Sequence, residues 1–312
     1  MKDRMNPPDP YPGHDGGPWA PVPAAVMASW PRGHFAENIA IDPAGRVYVT
    51  LHSHQRIDRF DPKTGQLEPF AQLPAGCAGL AFDSAGALWV TGGVVGRAPG
   101  YVWRIHGGAP EPWVEIPDAV FLNGCTPHPD GRTLLVCESV TGRILAIDQR
   151  ERRWAVWLRD DPLLPSAPAM PGANGIKLRD GRAWISVTDR NCLLRSRIAA
   201  DGSAGPLELA AEELHADDFA FGESGTAYCV THAAHSVVRL RPDGGRETIA
   251  GPDQGAFGGT ACAFGRCAED RRSLYVTTTG GLRYPYRGEI REARLLRLDV
   301  AECGQSLLPE PA

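Results

Sequence analysis

The sequence has no long apolar run and no excess of basic residues. No segment approaches the roughly 20 consecutive apolar residues of a membrane-spanning helix, and no long amphipathic helical pattern occurs. The 32 Lys and Arg residues are outnumbered by 37 Asp and Glu residues, so nothing favours an anionic partner. We therefore expect a small-molecule substrate and neither nucleic acid nor a membrane as a partner. The sequence does not indicate an oligomeric state.

The sequence also lacks the signals of export. Residues 1–20 are rich in Pro, Gly and charge but have no apolar centre of the kind that a secretory signal needs. The eight cysteines include no CxxC pair, and without export we expect reduced, mostly buried thiols. These features predict a cytoplasmic protein in which residues 1–20 form a flexible arm and residues 21–312 form one domain.

Glycine and proline are abundant, at 36 and 28 residues, and they accompany a repeated strand–turn–strand unit. In the first copy, residues 36–41 alternate as a strand, residues 42–45 (Asp-Pro-Ala-Gly) have turn chemistry, and residues 47–50 resume the alternation. Further copies begin near Ala78, Asn123, Asn174, Asp217 and Thr260. The turn glycines of the first five copies recur roughly every 41 to 50 residues, the period of a propeller blade. We predict an all-β fold, a six-bladed β-propeller with four antiparallel strands per blade.

The sixth copy ends after its third strand, at about Asp299. Residues 24–31 precede the first copy much as residues 67–74 precede the second. We predict that this N-terminal strand supplies the fourth strand of the last blade and closes the ring. Closure in this way would remove an exposed sheet edge.

One position of the repeat carries oxygen donors. The residues that begin the six copies are Glu37, Ala78, Asn123, Asn174, Asp217 and Thr260. The first strand of each blade lines the central channel, so these side chains would form a ring at one end of it. Two carboxylates and two carboxamides, without His or Cys, suit Ca²⁺, Mg²⁺ or Mn²⁺. Taken singly, each is better explained as a turn residue, but their shared register favours a metal site.

With these motifs the chain resembles the gluconolactonase / senescence-marker-protein (regucalcin-like) family of six-bladed propellers. The resemblance spans about residues 24–300, and its carriers are Glu37–Asp42, Asn123-Gly124, Asn174–Leu178, Asp217–Phe221 and Thr277–Leu282. It implies one divalent cation, with Ca²⁺ as the first choice and Mg²⁺, Mn²⁺ or Zn²⁺ as alternatives. The implied ligands are Glu37, Asn123, Asn174 and Asp217. It also implies an enzyme that hydrolyses a lactone or related ester.

The expected mechanism follows from this site. The ion would polarise the lactone carbonyl and acidify a bound water, and Asp217 would act as general base or orient that water. Asp218, on the opposite face of the strand, is expected to be structural. Four further residues are candidates for the substrate pocket, although each is also explained as a rim or wall residue: His54, Phe121, His215 and His232.

Two other functional classes remain open. The second-blade loop, Gly92–Gly96, offers no match to the Arg and Glu with which sugar-acid lactonases of this family contact substrate, which favours a more hydrophobic carbonyl compound. An apolar, water-poor pocket would indicate a metal-assisted isomerase or cyclase of a specialised pathway. A propeller that only binds, with a structural metal, is the third class. The fold and the metal site do not by themselves fix the chemistry.

Overall fold

The computed structural model describes residues 16–167 and 171–305, so residues 1–15 of the predicted arm lie outside the described residues. Within these ranges the chain forms six antiparallel sheets of four strands each. The innermost strands of neighbouring sheets contact one another in a closed ring. The predicted six-bladed propeller is therefore confirmed.

The strands of the first three blades follow one another along the chain, after an N-terminal strand β1 (Ala24–Trp30). The first blade consists of β2 (Ala36–Ile41), β3 (Val47–Leu51), β4 (Arg56–Asp61) and β5 (Gln66–Gln72). The second consists of β6 (Gly76–Phe82), β7 (Leu88–Val94), β8 (Arg97–Ile105) and β9 (Glu111–Ile116). The third consists of β10 (Leu122–Pro127), β11 (Thr133–Glu138), β12 (Arg143–Asp148) and β13 (Arg153–Arg159).

The other three blades complete the ring. The fourth consists of β14 (Ala173–Arg179), β15 (Arg182–Val187), β16 (Cys192–Ile198) and β17 (Ala204–Ala211). The fifth consists of β18 (Ala216–Phe221), β19 (Ala227–Thr231), β20 (Ser236–Leu240) and β21 (Arg246–Ala250). The sixth consists of β22 (Gly259–Phe264), β23 (Ser273–Thr278), β24 (Ala293–Asp299) and β1.

Both ends of the chain contribute to the last blade. Strand β1 pairs antiparallel with β24, and the pairing runs from Ala24 opposite Leu298 to Trp30 opposite Ala293. The indole Nε1 of Trp30 then donates to Asp58 Oδ2 of the first blade at 2.8 Å. The outermost strand of the sixth blade thus comes from the N-terminal part of the chain and is hydrogen-bonded to its neighbour blade.

In the described part of the chain, helical structure is confined to single turns. The 3₁₀ helices are His52–His54, Asp161–Leu163, Thr188–Arg190 and Pro252–Gln254. In residues 16–167 and 171–305, no helix has the length and apolarity that a membrane span requires.

The hydrophobic core lies between blades rather than at one centre. Each of six apolar clusters joins the facing surfaces of two adjacent sheets, as in the cluster of Trp89, Leu122 and Leu145 between the second and third blades. Strand alternation points every second side chain into such an interface. All eight cysteines are free thiols and six of them are buried, as the sequence predicts. A blade thus buries its apolar surface only against its neighbours, which leaves the channel to other residues.

Candidate functional site at the upper end of the channel

A β-bulge interrupts the innermost strand of every blade at the same position. In the first blade, Ala36 pairs with Leu51, but the next pair is Ile39 with Val49, so Glu37 and Asn38 share one gap in the ladder. The shift recurs in all six blades, and it falls at the positions predicted to begin each copy: Glu37, Ala78, Asn123, Asn174, Asp217 and Thr260. A bulge turns a side chain out of the ordinary alternation. We call this end of the channel, where the innermost strands begin, the upper end.

Hydroxyl groups of the second strands hold these bulges and join neighbouring blades. Thr50 Oγ1 accepts from Asn38 N at 2.8 Å and donates to Ala78 O of the next blade at 2.9 Å. Thr91 makes the same pair of bonds, with Gly79 N and Asn123 O. Ser186 does so with Gly175 N and Asp217 O. The hydroxyls were missed in the sequence, although a Ser or Thr after a β-branched residue recurs at this register.

Glycine after the bulged residue allows neighbouring innermost strands to approach. A Cβ on Gly124 would meet the backbone of Asn174, and a Cβ on Gly175 would meet Asp218. These glycines are required by close approach and not by a turn, because both lie inside strands. The Asn-Gly pairs are therefore strand residues, and the turn explanation of Asn123 and Asn174 is wrong.

The residue that directly follows the second strand accepts a hydrogen bond from the bulged side chain of the same blade. Asn123 Nδ2 donates to Ser139 Oγ at 3.3 Å, and Asn174 Nδ2 donates to Thr188 Oγ1 at 2.9 Å. Both hydroxyls donate in turn to the backbone of the next blade, at Ala173 O and Ala216 O. The two carboxamides are thus held in fixed orientations by buried groups.

In the fifth blade the equivalent position is His232, which contacts Asp217. Its Nδ1 lies 3.3 Å from Asp217 Oδ2, and its Nε2 lies 3.3 Å from Thr279 Oγ1. Burial lowers the pKa of His232 to about 4, so the ring is neutral at pH 7. Asn174 Nδ2 also donates to Asp217 Oδ1. Three of the predicted site residues therefore form one connected group.

Two carboxyl groups at this end have raised pKa values. Burial, followed by the charge of Asp217, raises the pKa of Glu37 to about 8. Burial, followed by the charge of Asp218, raises the pKa of Asp217 to about 8, against the opposing effect of the Asn174 hydrogen bond. Asp218 itself is paired with Lys177 Nζ at 2.6 Å. Desolvated carboxylates that repel each other are the kind of group that a bound cation stabilises.

The loop between β23 and β24 brings residues that the sequence analysis missed. Tyr284 packs edge-on against His232 with ring centroids 5.3 Å apart, and Phe35 packs against His232 at 5.6 Å. The exposed Arg283 lies close enough for its charge to lower the pKa values of Glu37 and Asp217. No periodicity marks these residues, because long loops do not follow the repeat.

The remaining pocket candidates differ in their exposure. His54 is exposed and stacks on His34 with ring centroids 3.7 Å apart. His52 faces inward instead, and its Nδ1 lies 3.1 Å from Cys77 O. Phe121 is half-buried and its backbone N–H donates to Glu138 Oε1 at 3.0 Å. His215 is buried two residues before Asp217.

The donor chemistry at the upper end fits a hard divalent cation. Among the described residues, no three His, Cys, Asp or Glu side chains stand close enough to hold an ion by themselves. Any ion here would therefore depend on carboxamide oxygens as well as on Glu37 and Asp217. The held carboxamides of Asn123 and Asn174 supply such oxygens at the same register.

Comparisons with known proteins agree with the fold. No family profile matches the chain. A curated protein from Phoma sp., provisionally assigned as a hetero-Diels-Alderase, is 23% identical over 310 aligned positions, which cover 82% of this chain and 87% of that protein.

Solved structures are similar over nearly their whole length. A luciferin-regenerating enzyme has a TM-score of 0.71 at 14% identity, over 91% of this chain and 97% of its own. Regucalcin from Agrobacterium tumefaciens has a TM-score of 0.69 at 16% identity, over 94% and 98%. A protein provisionally assigned as a gluconolactonase has a TM-score of 0.68 at 17% identity, over 93% and 96%. The chain therefore has the six-bladed propeller fold of the regucalcin and gluconolactonase structures, as the sequence predicts.

Proposed function

We propose that this protein is an enzyme that opens a lactone or related ester with the help of a divalent cation at the upper end of the channel. The observation that carries the proposal is the ring of bulges. The desolvated carboxyls of Glu37 and Asp217 occupy the same bulge position in their blades as the hydrogen-bonded carboxamides of Asn123 and Asn174. Regucalcin and gluconolactonase-like proteins share the fold, and the curated relative is also described as an enzyme.

The protein's own groups would divide the work. Glu37, Asn123, Asn174 and Asp217 would hold the cation, which when bound supplies a Lewis acid for a carbonyl oxygen. Asp217 is the candidate general base, because it is a carboxylate at the proposed cation site and its Oδ2 lies 3.3 Å from Nδ1 of neutral His232. Arg283, which is exposed and whose charge acts on Glu37 and Asp217, would orient a carbonyl or carboxylate oxygen of the substrate.

A second candidate is a non-hydrolytic cyclisation of an apolar carbonyl compound. The observation that favours it is the aromatic surface around His232, formed by Phe35 and Tyr284. Such walls hold an apolar substrate and exclude the water that hydrolysis needs. The described activity of the Phoma sp. protein belongs to this class.

The metal site is tested by calorimetric titration of Ca²⁺ and Mn²⁺ into chelator-treated protein. We expect one ion per chain for the wild type and at least a tenfold loss of affinity for Asp217→Asn. Thr260→Ser is the matched control, because Thr260 occupies the same register and keeps its hydroxyl bond to Ala36 O. Absence of binding by the wild type, or equal binding by Asp217→Asn, would contradict the proposal.

The reaction is tested on a panel of apolar and hydroxylated lactones with proton release as the readout. The hydrolase predicts release that requires both the cation and Asp217. If no lactone is opened while the ion still binds, the cyclase becomes the better proposal. The same apolar compounds should then bind without turnover.

A further inference from the structure

A cavity occupies the lower end of the channel, where the innermost strands end. Its volume is about 340 Å³, within the range of small-ligand pockets. All six blades contribute to it, and its apolar lining includes Ile41, Leu80, Phe82, Phe221 and Phe264. None of the four candidate metal ligands lines it. It is therefore a separate site, and the proposed reaction does not use it.

A buried ion pair stands between the two sites. Lys177 lines the lower cavity, and its Nζ donates to Asp218 Oδ1 at 2.6 Å. The Asp218 side chain is 3% exposed and that of Lys177 is 19% exposed, so the positive charge of Lys177 is matched within the protein.

Two arginines at the rim of the cavity form no such ion pair within the described residues. Arg266 is half-buried and its Nη1 donates to the backbone carbonyl of Ile41 at 3.1 Å, while Arg271 is exposed. In the part of the chain that the structure describes, neither guanidinium pairs with a carboxylate. Glu223 is the acidic residue of the lining. The charge of Asp42 also acts on Arg266, but Asp42 is paired with Arg46 at 2.7 Å. Two arginines against one glutamate leave the rim with one positive charge.

The chain near its C-terminus forms one wall of this cavity. Gln305 N donates to Phe221 O at 2.8 Å, and Gln305 Nε2 donates to Leu178 O at 3.0 Å. Gly304 pairs with Gly222 in the same place. These bonds carry the segment from the sixth blade across to the fifth and fourth, so Gly304 and Gln305 form part of the cavity wall.

We propose that the lower cavity binds a small amphipathic monoanion, a carboxylate carried on an apolar chain or ring. The carboxylate would accept charge-assisted hydrogen bonds from Arg266 and Arg271 at the rim. The apolar body would lie against Ile41, Leu80 and Phe82, and burial of its surface supplies the rest of the affinity. A neutral ligand of the same shape gains the burial of its apolar body but not the charge-assisted hydrogen bonds.

Calorimetry on the full chain tests this with octanoate and 1-octanol as matched probes. We expect one saturable octanoate site and at least tenfold weaker binding of 1-octanol, about 1.4 kcal/mol. Arg271→Gln, an exposed change that leaves the fold intact, should weaken octanoate at least threefold and leave 1-octanol unchanged. Arg266→Gln with Arg271→Gln should make the two probes bind alike.

The control variant addresses the other end of the channel. Glu37→Gln should leave octanoate affinity unchanged, and a change in either direction would place the ligand at the upper site and overturn the proposal. Equal affinity of the wild type for octanoate and 1-octanol would overturn it as well. So would the absence of saturable binding, the result expected if the cavity holds only water. Each of these results is independent of whether the upper site binds a metal.

Discussion

Two carboxyls with raised pKa values make the stability of the metal-free protein depend on pH. Glu37 and Asp217 titrate near pH 8 in the fold, whereas unfolded Glu and Asp titrate near 4. Between these values the folded state binds more protons than the unfolded state, so stability falls as pH rises. His232 and His235, both lowered to about 4, act in the opposite direction but only below about pH 6.5.

We therefore predict that chelator-treated protein loses about 3 kcal/mol of stability between pH 6.5 and pH 8. Urea unfolding across this range measures the loss. The double variant Glu37→Gln, Asp217→Asn should show a flat profile in the same buffers. A wild-type profile that is flat or rising in this window would show that these two carboxyls are ionised throughout.

Arg283 opposes a cation and favours an anionic or carbonyl oxygen at the same place. Its positive charge lowers the pKa values of Glu37 and Asp217. Arg283 therefore compensates part of the negative charge that a bound cation would otherwise compensate, and it repels that cation. We predict that Arg283→Gln binds Ca²⁺ or Mn²⁺ about threefold more tightly, since an exposed charge at this distance contributes under 1 kcal/mol. The KM for a lactone substrate should rise.

Calorimetry and steady-state kinetics measure the two effects of Arg283→Gln. Arg287→Gln is the control, because Arg287 lies on the same loop and stacks on Tyr286 at 5.1 Å. Unchanged ion affinity in Arg283→Gln, or the same change in Arg287→Gln, would rule out a local charge effect.

At the scale of the strand, the sequence repeat predicted where the bulged residues lie, but it did not predict the hydrogen bonds that join neighbouring blades. The period of the turn glycines located the bulges, because each blade uses the same hydrogen-bond pattern and so fixes one residue per blade at the channel. The sequence also carried the hydroxyl register of Thr50, Thr91 and Ser186, but an alternating strand pattern gives no reason to expect bonds between blades. Arg283 and Tyr284 were beyond prediction, since a loop path depends on tertiary packing.

The hydroxyl bonds allow stability and function to be separated with one matched pair of variants. Thr277→Val and Thr91→Val each leave a buried N–H and a buried carbonyl without their partner, at a cost of about 1–3 kcal/mol. Thr277 bonds Ala261 and Thr260, which are not candidate ligands, whereas Thr91 holds Asn123 O.

We predict that both variants lower the urea midpoint and that only Thr91→Val also weakens ion binding. Calorimetric titration of the two folded variants makes the comparison. Equal ion affinities would mean that the backbone of Asn123 stays in place without its hydroxyl bond. A similar loss in both would mean that the whole ring shifts together.

For the whole molecule, the contact between the sixth and first blades differs from the other five contacts between adjacent blades. We call each such contact a seam. At those seams the chain itself links one blade to the next, but here the first blade is joined to the sixth through β1, which must pair with β24 from the far end of the sequence. Such a contact of high sequence separation is entropically costly to form. Trp30 adds to it by bonding Asp58 across the seam at 2.8 Å.

We predict that Trp30→Phe opens this seam preferentially. The change removes one hydrogen bond to a buried carboxylate, about 1–3 kcal/mol, and hydrogen exchange should accelerate at least tenfold in β1 and β24 while β10–β12 stay protected. Trp157→Phe is the control, because Trp157 Nε1 also bonds an acceptor of the next blade at 2.8 Å, the backbone carbonyl of Gly202, at a seam that the chain links directly. Uniform acceleration over all six blades in Trp30→Phe would show instead that the ring opens only by global unfolding, so that the two-ended blade adds no local weak point.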